Sequence, residues 1–493
     1  MKTYESVNAR PVKRFFVEML TRDIAIEDAI LDLLDNCLDG VLRHTPAESA
    51  DDRPYAGYWA KIKVDKNSFE IEDNCGGIPW SERDRAFRMG SPIEAVSETD
   101  RKPTVGAYGI GMKRAIFKIG AQAIIWTQNS DDNYEISITP EWIGNQDSWD
   151  LEVTNGRRTA DEDGTLIMIE NLHSEISQRF ESSSFADDLL DKIQNHYSLI
   201  LQKGFAVFVN NIAASSKPVI FRFAEDGGEQ IRPYMFRSNN DGVEIFLAVG
   251  LREPIPDAER ILSEQEAVRY STEYAGWTVI CNDRVVLYCN RDELTGWGTG
   301  DVPKYHTQFI AISGVVEFRG DARLLPTTTT KRGLDVSKSL YLQVLNRMRE
   351  GTKIFTDFTN KWKTREEEAK KIVSPIPSIN FSELKQRAGA ETVKFAATKA
   401  GFPGQLYKPK LPAPPTESDD VRLSYFREKE KVRSLGEKLI PNFNEIPDRD
   451  FRRAIGEASF DFAYNSMVKN TQFNENQKHE KTPSLSFTAQ QGG

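Results

Sequence analysis

Apolar residues recur at helical spacing near the start of the chain. Phe15, Phe16 and Met19, then Ile26, Ile30, Leu31, Leu34 and Leu38, predict one helix over 14–44. Partial alternation predicts a strand over 61–71, closed by Asp73-Asn74-Cys75-Gly76-Gly77. Residues 81–103 are polar and charged around Gly90, Ser91 and Pro92, the composition of a mobile loop or lid. A Gly-rich turn then runs into a helix over 104–119, and strands are expected at 121–128, 133–139, 150–154 and 165–170. After a helix near 185–201, a second β-rich set opens at 206–209. It continues through 219–223, 244–249, 277–281, 285–289 and 310–317. Residues 336–372 are helical in pattern, 402–420 carry five prolines and read as a linker or strap, and 422–466 hold one or two short helices.

Composition narrows the class. A length of 493 residues suggests about three structural units. The formal charge of −10 argues against a protein whose whole surface grips nucleic acid. The charge is uneven, however: 341–400 holds 12 Lys/Arg against 7 Asp/Glu, so any polyanion contact is regional. Four cysteines without a CxxC pair make no disulfide scaffold. No apolar run is long enough to span a membrane, and 1–14 lacks a secretory h-region, so a cytoplasmic location is expected.

Four short stretches carry candidate chemistry. Asp32 and Asn36 stand four apart on the first helix and can reach one point, as a general base or water-orienter paired with a Mg²⁺ ligand would. Asp73, ahead of Gly76 and Gly77, suits a carboxylate at the base of a pocket accepting an exocyclic amine. Gly106, Gly109 and Gly111 before a helix offer backbone N–H groups to phosphate, and Lys113 adds a charge. The spacing is neither a Walker A loop nor a Rossmann fingerprint. Gly164-Thr165 opens a strand. Alone, each also fits a polar helix face, a plain turn, a ligand-free helix start or an ordinary strand.

Together and in this order, the four resemble the Bergerat-fold ATPase domain of the GHKL superfamily (gyrase-type topoisomerases, the heat-shock chaperone, histidine kinases and MutL), over residues 10–175. The resemblance implies ATP and Mg²⁺ as cofactors. Asp32 would activate water, with Asp35 or Glu27 as the substitute acids, and Asn36 would ligate the metal. Asp73 would take the adenine amino group with support from Thr165, and Gly77 would lie against the base. Gly106, Gly109, Gly111 and Lys113 would wrap the phosphates. Two positions depart from the family: Asp32 stands where most members have Glu, and Cys75 where the first glycine of the turn is usual, so its backbone must avoid positive φ. Further on, Asn282-Asp283-Arg284 is similar to a turn of the MutL second domain. The stretch 325–332 resembles the loop that sends a lysine, here Lys331, to the γ-phosphate.

The expected fold class is α+β: a Bergerat-type α/β sandwich ATPase domain, a MutL-like α/β transducer domain and a mainly helical C-terminal region. The boundaries are an ATP-binding domain over 1–175 with a lid at about 80–112, and a transducer over 190–340. A basic helical segment follows at 341–400, then a Pro-rich linker at 401–420, helices at 421–475 and a disordered tail at 476–493. The function implied is a slowly hydrolysing, nucleotide-gated clamp that forms a homodimer on ATP binding. It would act on duplex DNA in repair, chromosome maintenance or phage defence, or on a partner protein. A heat-shock-chaperone-like ATPase working on protein clients is the alternative. A sensor histidine kinase fits less well, since His44, His173, His196, His306 and His479 match no phosphorylation box ahead of the ATP motifs. A topoisomerase subunit lacks a recognisable DNA-cleaving domain.

Overall fold

Two runs that the apolar pattern leaves continuous are cut in the folded chain. The computed structural model describes residues 12–45, 52–88, 90, 104–105, 109–145, 148–156, 162–225, 230–256, 274–328, 333–389, 393–398, 402–415, 427–446 and 451–469. The single helix expected over 14–44 is instead α1 (Lys13–Thr21) and α2 (Ile26–His44). Lys118 donates to the last carbonyl of α1, Thr21 O, at 3.0 Å, and Ile24 turns into the core. Lys13 anchors α1 by donating to Trp142 O (2.7 Å) and Ser148 O (2.6 Å), its ammonium 3.9 Å from the Trp142 ring centroid. Phe15 and Met19, expected in the apolar stripe, stay exposed. The strand expected over 61–71 is a hairpin of β1 (Trp59–Val64) and β2 (Phe69–Asp73). Its turn forms because the Asp65 carboxylate accepts from the N–H groups of Asn67 (2.7 Å) and Ser68 (3.1 Å).

These two strands sit within an eight-stranded sheet. Its further strands are β3 (Gly120–Gln128), β4 (Asn133–Ile138), β5 (Val153–Asn155), β6 (Gly164–Leu172), β7 (Ala206–Val209) and β8 (Ile212–Ala213), in the order β5-β4-β3-β6-β2-β1-β7-β8. Residues 206–209, expected to open the second β-rich set, pair parallel with β1 and extend the first layer beyond residue 175. A short α3 (Arg83–Phe87) follows β2, and α4 (Gly111–Ile119) packs on α2. The strand period of two puts Ile71, Ala123, Ile125, Ile167 and Ile169 into the core beneath these helices. The same alternation carries Asp73, Thr127 and Thr165 inward at one end of three neighbouring strands.

A second set of strands follows α5 (Pro140–Gly144), α6 (Ser174–Glu181), α7 (Ser183–His196) and α8 (Ser198–Gln202). Its strands are β9 (Ile220–Arg222), β10 (Tyr234–Asn240), β11 (Val243–Leu251), β12 (Gly276–Cys281), β13 (Arg284–Asn290) and β14 (Ile312–Arg319). The long α9 (Ser339–Trp362) packs on β10, β11 and β14 through Tyr341, Val344, Met348 and Phe355, and α10 (Glu366–Val373) follows it. The expectation of a helical segment over 341–400 gives way after residue 373. There β15 (Ser378–Asn380) pairs with β9, and β16 (Ala396–Ala397) and β17 (Gln405–Tyr407) extend the sheet, with α11 (Phe381–Gly389) between them. The Pro-rich stretch is a strap in its described part: Trp362 Nε1 donates to Pro412 O at 3.1 Å and Gln230 N to Lys410 O at 2.9 Å.

Contacts divide the chain after Pro414. The second unit holds α12 (Lys429–Leu439) and α13 (Phe451–Tyr464), with Phe443 and Ile455 buried beside Gly436. Among the described residues, no helix is long and apolar enough to cross a membrane.

Helix α2 locks the two sheets of the first unit together. Asp28, Asp32, Asp35 and Asp39 fall within about 60° of arc at 3.6 residues per turn, and each carboxylate meets a different element. Lys192 of α7 lies 3.0 Å from Asp28, Arg114 of α4 binds Asp32, and Val105 N donates to Asp39 at 2.6 Å. Asp35 accepts from Tyr197 Oη and from Arg284 Nε at 3.0 Å. Arg284 ends the two-residue hairpin turn between β12 and β13, where Asn282 and Asp283 both adopt positive φ (47° and 67°). Asn282 Nδ2 donates to Thr104 O at 2.8 Å. Asp283 accepts from Tyr55 Oη, Lys203 Nζ (2.7 Å) and Arg319 Nη2 (2.6 Å). Burial pushes the Asp283 carboxyl up, but Lys203 and Arg319 outweigh it and hold the group well below the usual range.

Arg284→Met should strand Asp35 as a buried charge and cost about 3–5 kcal/mol, read as a fall in the urea midpoint of the first unit. Adding Asp35→Asn should recover part of that loss. A single-variant cost below about 1 kcal/mol, the range of exposed pairs, would show that this contact does not hold the two sheets together.

Candidate active site

The inward residues at the end of β2 and β6 form the floor of a cavity of about 290 Å³, and Thr127 of β3 backs Thr165. Helix α2 and the start of α4 make its walls. Asp32, Asn36, Asp73, Gly77, Gly109, Gly111, Lys113 and Thr165 all line it. Eight of the ten residues singled out from sequence thus converge, from stretches spread over more than a hundred positions. The other two, Gly106 and Lys331, lie outside the described residues.

Asp73 is held by a dense set of donors. Its Oδ1 accepts from Cys75 N (2.8 Å) and Thr165 N (3.3 Å), and its Oδ2 from Cys37 Sγ (3.4 Å). Burial, then the Asp73 charge, pushes the Cys37 and Cys75 thiols up, so both stay protonated near neutral pH. Thr165 and Thr127 share an Oγ1 contact of 3.3 Å, and Thr127 Oγ1 accepts from Ile78 N at 2.7 Å. The strand alternation therefore does chemical work: it lines up three polar groups where an apolar floor would otherwise continue.

Two glycines have steric reasons distinct from ligand contact. A Cβ on Gly164 would lie 1.9 Å from Asp73 O, so β6 could not approach β2. Gly77 has φ +62°, and a Cβ there would lie 2.2 Å from Gln128 O. The backbone itself requires glycine at 77. Cys75 does not adopt positive φ among the described residues; Gly76 and Gly77 take that conformation instead.

At the other end of the cavity, Asp32 is buried and Asn36 is exposed. Lys113 donates to Ala86 O, in α3, at 2.7 Å. Burial draws its ammonium down to about 8. Arg114, the next residue, binds Asp32 Oδ2 through Nε at 3.1 Å and through Nη2. The substitute acids do not reach the cavity: Asp35 is taken by Tyr197 and Arg284, and Glu27 pairs with Arg179. Five participants were missed from sequence: Cys37, Asp39, Arg43, Arg114 and Thr127. Arg43 Nη2 donates to Gly77 O at 2.8 Å. Asp39 and Arg43 continue the i, i+3, i+4 face of Asp32 and Asn36, a periodic signal that could have found them. Thr127 has no signal short of the strand register.

A carboxylate at a polar floor, a carboxamide and acid four apart on one helix, and a glycine-flanked helix start with a lysine describe a nucleotide pocket. Residues 24–165 match the family model for histidine kinase-, DNA gyrase B- and HSP90-like ATPases. This segment belongs to the GHKL ATPase superfamily. Comparison with curated proteins gives no match. The GHKL assignment supports ATP binding, and the matched segment spans all eight lining residues named above.

Two outcomes test this pocket. Asp73→Asn, which removes a charge-assisted acceptor worth about 1.5–3 kcal/mol, should weaken ATP binding about ten- to a hundredfold by calorimetry; unchanged affinity would remove the adenine assignment. Polyphosphate beside Lys113 should raise its pKa above the value of about 8 in the free protein. Affinity should then be full below that pH and fall by up to about tenfold per unit above it, with proton uptake on binding. Lys113→Met should abolish this pH dependence.

Proposed function

We propose that the chain is a Mg²⁺-dependent ATPase that hydrolyses slowly and uses nucleotide occupancy to operate a dimeric clamp on duplex DNA. The observation that carries the reading is the convergence of Asp32, Asn36, Asp73, Lys113 and Thr165 on one cavity. Asp73, with two backbone N–H groups and a thiol already on it, accepts the adenine amino group. The N–H groups at Gly109 and Gly111, with Gly106 and Lys113, take the phosphates. Asn36 offers one neutral oxygen, which fits Mg²⁺, an ion that keeps water and phosphate oxygens and takes few protein ligands. Bound there, the metal would neutralise phosphate charge. Asp32 takes the proton of the attacking water, and Lys331 meets the γ-phosphate.

Support for a clamp comes from the second sheet. Its 282–284 turn reaches both α2 and Thr104, so a shift of the catalytic helix is felt across the first unit. Support for DNA comes from Lys361, Lys363, Lys370 and Lys371, exposed at the end of α9 and on α10, while Lys353 of α9 is engaged in an ion pair with Asp357.

Asp32→Asn should keep ATP affinity within a fewfold and lower turnover about 10²–10⁴-fold, the usual effect of losing a general base. Parental turnover would assign the proton transfer elsewhere. DNA affinity in the presence of a non-hydrolysable analogue should fall with salt at about −0.9 per phosphate neutralised, near −3.6 for four contacts. Changing the four lysines to Gln should flatten that slope and leave basal turnover unaltered. No binding at low salt would point to a polypeptide client.

A further inference from the structure

We propose that Arg114 is the positioning residue of the hydrolytic acid, fixing the short Asp32 carboxylate in the orientation that turnover needs. The proposal rests on the reading of Asp32 as the base. Both side chains are nearly inaccessible, at 6% and 5% exposure, and both face the nucleotide cavity. A carboxylate buried to that degree needs a counter-charge to stay ionised, and Arg114 supplies it. The guanidinium reaches Oδ2 through two of its nitrogens, and this pair of charge-assisted bonds holds that oxygen in place.

The local backbone explains why Arg114 and not the neighbouring Lys113 does so. Arg114 stands in the first turn of α4, its N–H bonded to Ile110 O at 2.9 Å. The preceding Lys113 is directed to Ala86 O instead. Gly111, one turn back, leaves its α-carbon open on the Asp32 side: a Cβ there would lie 3.3 Å from Asp32 Cβ and Cγ. Helix α4 thus meets Asp32 at two points, the Gly111 backbone and the Arg114 guanidinium. An aspartate reaches about one methylene less than a glutamate, so a small rotation of its carboxylate changes the geometry of attack. Misplacement of about 1 Å costs about a hundredfold in rate.

The test uses the full chain and four variants: Arg114→Gln, Arg114→Lys, Asp32→Asn, and Arg114→Gln combined with Asp32→Asn. Turnover, KM and equilibrium affinity for a non-hydrolysable analogue are measured for each. Arg114→Gln should lower kcat about a hundredfold with KM and affinity within about threefold, and Arg114→Lys should recover part of kcat. The double variant should be no slower than Asp32→Asn alone, because a residue that acts through Asp32 has nothing left to position. Equal losses in kcat and affinity, or additive losses in the double variant, would overturn the proposal. An inactive Asp32→Asn beside an Arg114→Gln of parental kcat would sink the positioning role alone, whereas a fully active Asp32→Asn would sink the reading of the base. If Arg114→Gln fails to fold because Asp32 is left unpaired, the neutral double variant and Arg114→Lys decide: parental kcat in Arg114→Lys, or a double variant slower than Asp32→Asn, would overturn it.

Discussion

The first unit depends on one constraint: a buried helix with four aspartates on one face must find a partner for every carboxylate. An unpaired charge away from water costs several kcal/mol, so α2 can be buried only where donors arrive from elsewhere. They come from α7, α4, the residue at the base of the expected lid, and the hairpin turn of the second sheet. The apolar residues of α2 hold it to the first sheet. Its acids determine what else must be assembled around it. The placement of Asp32 at the cavity and the docking of the second sheet on Asp35, three residues further on, are therefore consequences of a single electrostatic requirement.

The floor of the site follows a different logic. Three adjacent strands reach the same end of the sheet in a register that sets Thr127 opposite Thr165, with Asp73 on the neighbouring strand. The period of two then places all three on the helix-facing side. The close approach of β6 at Gly164 brings the Thr165 N–H within reach of Asp73. Cys37 completes the set, because a thiol kept protonated by burial donates weakly and takes little space. The departure at position 75 has a similar account: Gly76 and Gly77 carry the positive φ values of the turn, which leaves Cys75 free to contribute its N–H to Asp73.

One turn joins the cavity wall to the second sheet. The 282–284 turn touches Thr104 with Asn282, a buried ion cluster with Asp283 and α2 with Arg284. All three side chains are buried, so none can move without its partners. Such a junction is rigid because buried paired charges tolerate few arrangements.

Most of the site was legible in the chain itself. Asp32, Asn36, Asp73, Lys113 and Thr165 were named because four short motifs, in their order, resemble the GHKL ATPase domain, and short motifs are local properties that a sequence states directly. The α+β class and the long amphipathic α9 were legible for the same reason. The breaks were not: the end of α1 depends on Lys118 from nearly a hundred residues away, and the strand at 206–209 has nothing local to assign it to the first sheet rather than the second. Arg114, Thr127 and Arg284 acquire their roles only from long-range pairing. A cation beside a lysine and a threonine in a strand look ordinary until the fold sets a buried carboxylate or a neighbouring hydroxyl against them, and Arg284, named from its turn, finds Asp35 only in the fold. By itself the sequence determined which groups could bind and react; tertiary structure decided which acid faces the cavity and which holds the domains, because only packing establishes where each buried charge finds its partner.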